Sequence, residues 1–293
     1  MFLRRRTLRL AALKISTQPN KKMNAMLFAL AVALLVVAIA VSVVHAHDQD
    51  HRAAPRRNEF VYPNGMTIDI SDETLVVNRN TWENYQGGVY ESDSIRYVYQ
   101  RLADAARVRR RRARLVDIGA QSGLYALYAR HFDWVEVDAY EPFAPSYRCL
   151  LQNIALNRVQ DRVFPRAIAV SDKRSTTVMR CPRDHAGLNT LGGTPMRFAT
   201  WDEVQVNTDT LDRLYASRTI DVVKCDTEGW EYFVLKGGRG VLARDRPELL
   251  IEVNDDNMRQ CGVTRAQLFD ELADLGYRHV QTIDGENMAF SAT

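Results

Sequence analysis

The stretch LVDIGAQSGLYALYAR, residues 115–130, constrains this chain more than any other segment. Leu115, Val116 and Ile118 form a short apolar run of the kind that is buried on both faces of a sheet. The run breaks at Gly119 and Gly123. Leu124, Leu127 and Tyr128 then recur at helical spacing and predict a helix over 123–130. A strand, a glycine turn and an opening helix aim backbone N–H groups and the positive end of a helix dipole at a small ligand. Downstream, VEVDAYEPF supplies a second strand that ends in Glu141, at about the spacing expected of a carboxylate that holds ribose hydroxyls. One ligand touched at both strand ends is a nucleoside-containing cofactor.

The chain on either side follows an alternating plan. FVYPNGMTIDISDETLVV reads as a small hairpin turning at Pro63-Asn64-Gly65. A helix runs from Tyr90-Glu91 to about Ala106, with Ile95, Val98, Tyr99 and Leu102 on one face. Strand 115–118 and helix 123–130 are followed by strand 135–140, helix 145–157, and strands 163–169 and 176–180. A glycine-bearing loop spans 181–200. Then come strand 204–206, helix 211–215, strand 220–226, helix 231–236, strand 249–253, helix 265–275 and two closing strands near 279–282 and 288–290. This order predicts an α/β domain: a parallel sheet with helices on both faces and its site at the carboxyl ends of the strands.

Composition matters mainly at the amino end. The net charge of +3 is set by residues 1–24, which carry Arg4, Arg5, Arg6, Arg9, Lys14, Lys21 and Lys22 and no acid. The remainder is close to neutral, so a nucleic-acid partner has little electrostatic support. The run Arg109–Arg112 reads as the solvated end of a helix rather than as a phosphate site. From Ala25 to Val44 there is no charge and Ser42 is the one polar residue, a length that matches a bilayer core. We therefore expect a basic segment (1–24), a transmembrane signal-anchor (25–46), a linker (47–58) and a catalytic domain (59–293). The amino terminus is expected on the cytoplasmic side. A signal peptide cleaved near Val44-His45-Ala46 and a mitochondrial presequence ahead of an inner-membrane anchor are the rival readings. Cys149, Cys181, Cys225 and Cys261 are scattered without metal-ligand spacing, and no metal is expected.

The turn Gly119-Ala120-Gln121-Ser122-Gly123 does not have the glycine spacing that a dinucleotide pyrophosphate needs. With Asp117 two residues ahead, it suits a ligand with an amino-acid end and a ribose, such as S-adenosylmethionine (SAM). The set VDIGAQSGLYALYAR, AYEPFAPSYRCLLQNIALN, DTLDRL, IDVVKCDTEGWEYFVLKGG and RPELLIEV, over about residues 88–253, resembles the FkbM family of SAM-dependent methyltransferases. Gln121 departs from it mildly, since the family usually has Asn there. The resemblance implies a class I methyltransferase (Rossmann-like) fold, a seven-stranded, mostly parallel sheet. It also implies methyl transfer, usually to a hydroxyl oxygen, and a role for Glu91 in the Tyr90-Glu91 pair.

Within that frame, Gly119 and Gly123 let the backbone close on the methionine portion of SAM, Asp117 and Gln121 offer polar contacts, and Glu141 accepts from the ribose hydroxyls. KCDTEGWE supplies the second cluster. Asp226 is the first candidate for orienting or deprotonating the acceptor, and Glu228 the second. Glu231, in the first turn of a helix, reads as structural, and Trp230 as packing beneath the site. His185 and Asn189 sit in the 181–200 loop, where His185 is a candidate base. The expected function is O-methylation of a hydroxyl on a glycan or small metabolite by a membrane-tethered enzyme. A catalytically silent tethered domain and methylation of a protein side chain are the alternatives. RNA is disfavoured by the absence of a basic, aromatic-interleaved face.

Overall fold

Leu115 and Val116 are both fully buried although they point to opposite faces of one strand, so layers cover the central sheet on both sides. The computed structural model describes residues 57–61, 67–71, 91–183, 187–193 and 200–293. All of them belong to one compact unit, Pro55–Thr293. The expected membrane segment, the turn at 63–65 and His185 lie outside the described residues. Among the described residues no helix is long and apolar enough to cross a membrane.

The hairpin pairs as the sequence predicts. Strand β1 (Arg57–Val61) begins just inside the expected linker and runs antiparallel to β2 (Thr67–Ser71). Helix α1 (Ser92–Arg109) then leads into β3 (Ala113–Ile118). Next come α2 (Leu127–His131), β4 (Val135–Tyr140), α3 (Ala144–Asn157), β5 (Val163–Arg166), β6 (Ala169–Val170), β7 (Ser175–Pro182) and β8 (Trp201–Asp209). The carboxyl half holds α4 (Leu211–Leu214), β9 (Val222–Cys225), α5 (Glu231–Lys236), α6 (Arg239–Asp245), β10 (Glu248–Glu252), α7 (Asp255–Gln260), α8 (Arg265–Asp274), β11 (Tyr277–Thr282) and β12 (Asn287–Ala292).

The main sheet has seven strands in the order β11-β12-β10-β9-β3-β4-β5. β3, β4, β5, β9 and β10 pair in parallel, and β12 runs against both its neighbours. Side-chain alternation divides the core. Leu115, Val137 and Val222 join α1, α2 and α3 on one face through Val98, Leu102, Tyr128 and Leu150. Val116, Tyr140 and Val223 pack on the other face against Leu235, Leu242, Leu268 and Phe290.

Three local expectations are corrected. The helix predicted over 123–130 begins only at Leu127, and residues 121–126 form turns. Gln121 and Gly123 both have positive φ, which no right-handed helix accommodates. The strand predicted over 163–169 is two strands in two sheets: β5 ends at Arg166, and β6 joins β8 and β7 in a separate three-stranded sheet. Pro165 suits β5 because that strand is the sheet edge. Two short helices, α6 and α7, are additional. Each is too brief to show apolar periodicity, and α7 is started by Asn254, whose side chain accepts from the N–H groups of Asp256 and Asn257.

The basic run lies at the amino ends of the strands, away from the site. Arg109 and Arg111 pair with buried Asp221 at 3.2 and 2.8 Å, and Arg112 reaches Glu136 at 3.6 Å. These three arginines are thus paired with acids of the domain itself.

Candidate active site

The carboxyl ends of β3, β4, β9 and β10 open into a cavity of about 360 Å³. The strand ends are tied to one another there. The N–H groups of Gly119 and Ala120 both donate to the Tyr140 carbonyl at 3.0 Å, and the Asp226 N–H donates to the Ile118 carbonyl at 3.1 Å. At Gly119 (φ +81°) a Cβ would lie 1.8 Å from the Asp226 carbonyl oxygen, so no side chain fits where β3 meets the end of β9. Gly123 has a different duty. A Cβ there would sit 2.5 Å from Leu150 Cδ1, so this glycine admits α3 beneath the turn and is not part of the cavity wall.

Glu141 is buried at the end of β4 and lines the cavity. Its Oε2 accepts from the Gln121 N–H at 2.9 Å and its Oε1 from the Phe143 N–H at 2.7 Å. Burial pushes its pKa up to about 7 even though these backbone donors work in the opposite direction. Each oxygen keeps a second lone pair, so the carboxylate can accept from two adjacent hydroxyls.

Asp117 and Lys224 project side by side from adjacent, directly paired residues of β3 and β9. Asp117 is fully buried and stands behind the wall of the cavity rather than in it. Neither of its oxygens has a hydrogen-bond partner, and Lys224 Nζ is 3.9 Å away. Burial raises its pKa to about 6, with Lys224 opposing and Glu91 and Asp226 adding to the rise. Lys224 lines the cavity, lies 3.2 Å from Asp226 Oδ2 and sits 5.3 Å above the Tyr125 ring. Burial works against its charge, but Asp226, Asp117 and Glu91 outweigh it, and the ammonium pKa is raised. Glu91, at the start of α1 with φ +50°, accepts from the Tyr125 hydroxyl at 2.9 Å and faces the same cavity.

The Asp226-Thr227-Glu228 segment forms the wall beside Lys224. Glu231 secures it from below: its buried Oε1 accepts from the Thr227 N–H (2.7 Å), the Thr227 hydroxyl (2.8 Å) and the Gly229 N–H (3.4 Å). Its structural reading agrees with these bonds. Glu228 (φ +55°) accepts from Asn257 Nδ2 at 2.6 Å. Trp230 stacks on Phe233 at 4.0 Å, donates Nε1–H to Ser171 Oγ at 3.1 Å, and lines the cavity rather than lying beneath it. Asn189 faces the cavity too.

Glu252 completes the wall from the end of β10. Its Oε2 is buried and has no hydrogen-bond partner. Burial, then the neighbouring charges of Asp226, Glu228, Glu231 and Glu286, hold its pKa well above the ordinary carboxylate range.

The methyltransferase FkbM domain matches residues 117–279, more than half of the chain. This protein belongs to the FkbM methyltransferase family. The match begins at Asp117 and reaches past Val253, so the FkbM domain takes in α7, α8 and the start of β11 as well as the motif-bearing core. No curated protein matches the sequence. Among solved structures, the chain is similar to the methyltransferase FkbM of Methylobacillus flagellatus KT, at 17% identity and a TM-score of 0.42. That superposition covers 61% of this chain and 43% of the other, less than half of the relative's length. It is also similar to a protein of the NADB-Rossmann superfamily from Streptococcus agalactiae (14% identity, TM-score 0.38, 66% and 67% of the two chains). A third likeness is to the ribosomal protein L11 methylase of Lactobacillus delbrueckii subsp. bulgaricus (12%, 0.38, 68% and 79%).

Methyltransferases of the FkbM kind draw their methyl group from SAM, and the residues present suit that cofactor. Glu141 offers a buried acceptor pair for ribose hydroxyls, and Glu91, Lys224 and Asp226 form a charged corner able to meet an amino-acid group. Of the residues read from sequence, Glu91, Gly119, Gln121, Glu141, Asn189, Asp226 and Glu228 all reach the cavity, whereas Asp117 and Gly123 support it from behind. Lys224, Tyr125 and Glu252 escaped the sequence reading. Two of them carried a signal: a charged residue inside the buried apolar runs IDVVKCD and LLIEV is retained only where it is paired or used.

Proposed function

We propose that this FkbM protein transfers the methyl group of SAM to a hydroxyl oxygen of an uncharged or cationic, polyhydroxylated acceptor, a glycan or small metabolite. The observation that carries this reading is the separation of the cavity's two carboxylate regions. Glu141 stands at the end of β4, and Asp226, Glu228 and Glu252 stand at the ends of β9 and β10. In the order β10-β9-β3-β4 the outer strands are three spacings apart, about 14 Å. Ribose held at Glu141 then leaves the reacting end of the cofactor near the second group, where an acceptor O–H can be oriented.

Transfer requires the acceptor oxygen in line with methyl carbon and sulfur. The O–C bond forms as the C–S bond breaks, the electron pair goes to sulfur, and the hydroxyl proton passes to a carboxylate and then to water. Among the described residues of the wall, Glu91, Glu141, Asp226, Glu228 and Glu252 outnumber Lys224, which disfavours phosphorylated or carboxylated acceptors. Trp230 and Met179 supply an apolar surface against which a sugar or aliphatic ring can lie. The uncharged run at 25–44 supports a tether to a membrane.

Calorimetric titration of SAM into the full chain tests the cofactor, and transfer of labelled methyl groups to a panel of neutral, amino and phosphorylated sugars tests the acceptor. Saturable SAM binding with label in neutral or amino sugars supports the reading. A folded protein that gives no heat with SAM overturns it, and so does label carried only by phosphorylated sugars.

A further inference from the structure

We propose that Asp226, Glu228 and Glu252 form a binding site for a divalent, oxygen-seeking cation such as Mg²⁺ or Mn²⁺. The cysteine spacing gave no hint of this, because the ligands are carboxylates brought from two separate strand ends. One oxygen from each of the three lies within 4.8 Å of the others. Magnesium and calcium bind oxygen at roughly 2.0–2.6 Å, so the span is about twice one metal–oxygen distance and a single ion can touch all three.

A second observation is independent of that convergence. Glu252 is half-buried, but its Oε2 is shut off from solvent at the cavity wall and has no hydrogen-bond donor. Among the described residues no lysine or arginine pairs with Glu252. The neighbouring polar groups are occupied elsewhere: Lys224 bridges Asp226 and Asp117, and Asn254 Nδ2 donates to both oxygens of Glu286 at 2.8 Å. A buried carboxylate oxygen facing other carboxylates, with nothing to accept from, is costly. A cation at the junction removes that cost. Asn257 orients Glu228 from behind through its 2.6 Å bond, as groups outside a metal's own ligands commonly do.

The role of the ion rests on the methyl-transfer reading, because a cation here would polarise the acceptor hydroxyl and ease loss of its proton. Binding of the ion does not rest on it. The test is therefore Mn²⁺ titration of the full chain, reading the loss of the free-ion electron paramagnetic resonance signal, alongside SAM calorimetry on the same samples. We expect one equivalent bound by the wild type and at least about tenfold weaker binding in Glu252→Gln and in Glu228→Gln, since affinity follows ligand charge count. SAM binding is expected to survive in both variants and so to report that they are folded. No Mn²⁺ bound by the wild type overturns the proposal, as does unchanged Mn²⁺ affinity in both variants. SAM binding without Mn²⁺ binding sinks the cation site and leaves methyl transfer standing. Mn²⁺ binding without SAM binding does the reverse.

Discussion

Lys224 Nζ lies 3.2 Å from Asp226 Oδ2 and 3.9 Å from Asp117 Oδ1, so one buried ammonium serves an acid in the cavity wall and another behind it. Removing one partner of a buried pair leaves the other charge unmatched and costs about 3–5 kcal/mol. Lys224→Met is expected to destabilise the domain by that order in denaturant unfolding. Adding Asp117→Asn should recover part of the loss. If the two substitutions act additively, the coupling is absent.

Because Asp117 stands behind the cavity, its effect on the cofactor passes through Lys224. Asp117→Asn should weaken SAM binding less than Glu141→Ala does. Calorimetry on the two variants decides the order, and equal losses would place Asp117 in direct contact.

Glu141 should make SAM binding depend on pH. A carboxylate accepts from both ribose hydroxyls only when ionised, and its pKa is raised to about 7. SAM affinity is therefore expected to strengthen as pH rises through about 7, and Glu141→Gln should flatten the profile. Stability of the cofactor-free protein moves the other way. The raised value means that the stability contributed by the neutral acid is present below its ordinary value near 4.5 and is lost as pH rises through about 7. Each hydrogen bond to a charged group is worth about 1.5–3 kcal/mol, so Glu141→Ala should weaken SAM by at least about tenfold.

The two glycines of the first turn should respond differently to alanine. Gly119→Ala drives a Cβ into the backbone carbonyl of Asp226 and should displace the end of β9, abolishing SAM binding with a large fall in melting temperature. Gly123→Ala meets the end of the Leu150 side chain, which can shift, so its cost should be smaller and its SAM affinity better preserved. Thermal melts and calorimetry on both variants check the order.

Glu231→Ala strands the half-buried Thr227 N–H and the buried Gly229 N–H, a loss of about 1–3 kcal/mol. Glu231→Gln keeps an oxygen acceptor for the same donors and should retain most of the stability. If the two variants melt together, the loop is held by something else.

Much of the domain was legible locally. The strands expected at 135–140 and 220–226 and the helix at 231–236 each follow an apolar run or periodic face; the first and third keep their bounds in the structure and the second narrows to Val222–Cys225. Glu141 and Asp226 stood out because an acid directly after a buried strand has little reason to be there unless it faces a ligand. The break between β5 and β6 was not legible, because Val163–Ala169 is a continuous strand-like run. Only the arrival of β8, some forty residues later, gives residues 169–170 a different partner.

The sequence by itself determined the alternation of strands and helices, the glycine turn after β3 and the acids that end β4 and β9, because these are signals within one element or its immediate flank. The tertiary structure decided which charges meet. Asp117 and Lys224 became neighbours because β3 and β9, more than a hundred residues apart, pair in parallel with those two positions in register. Glu252 joined Asp226 and Glu228 because β10 pairs beside β9 and ends at the same level. Strand order and register are set by how helices of different lengths pack on the two faces of the sheet, and no local pattern of residues carries that information.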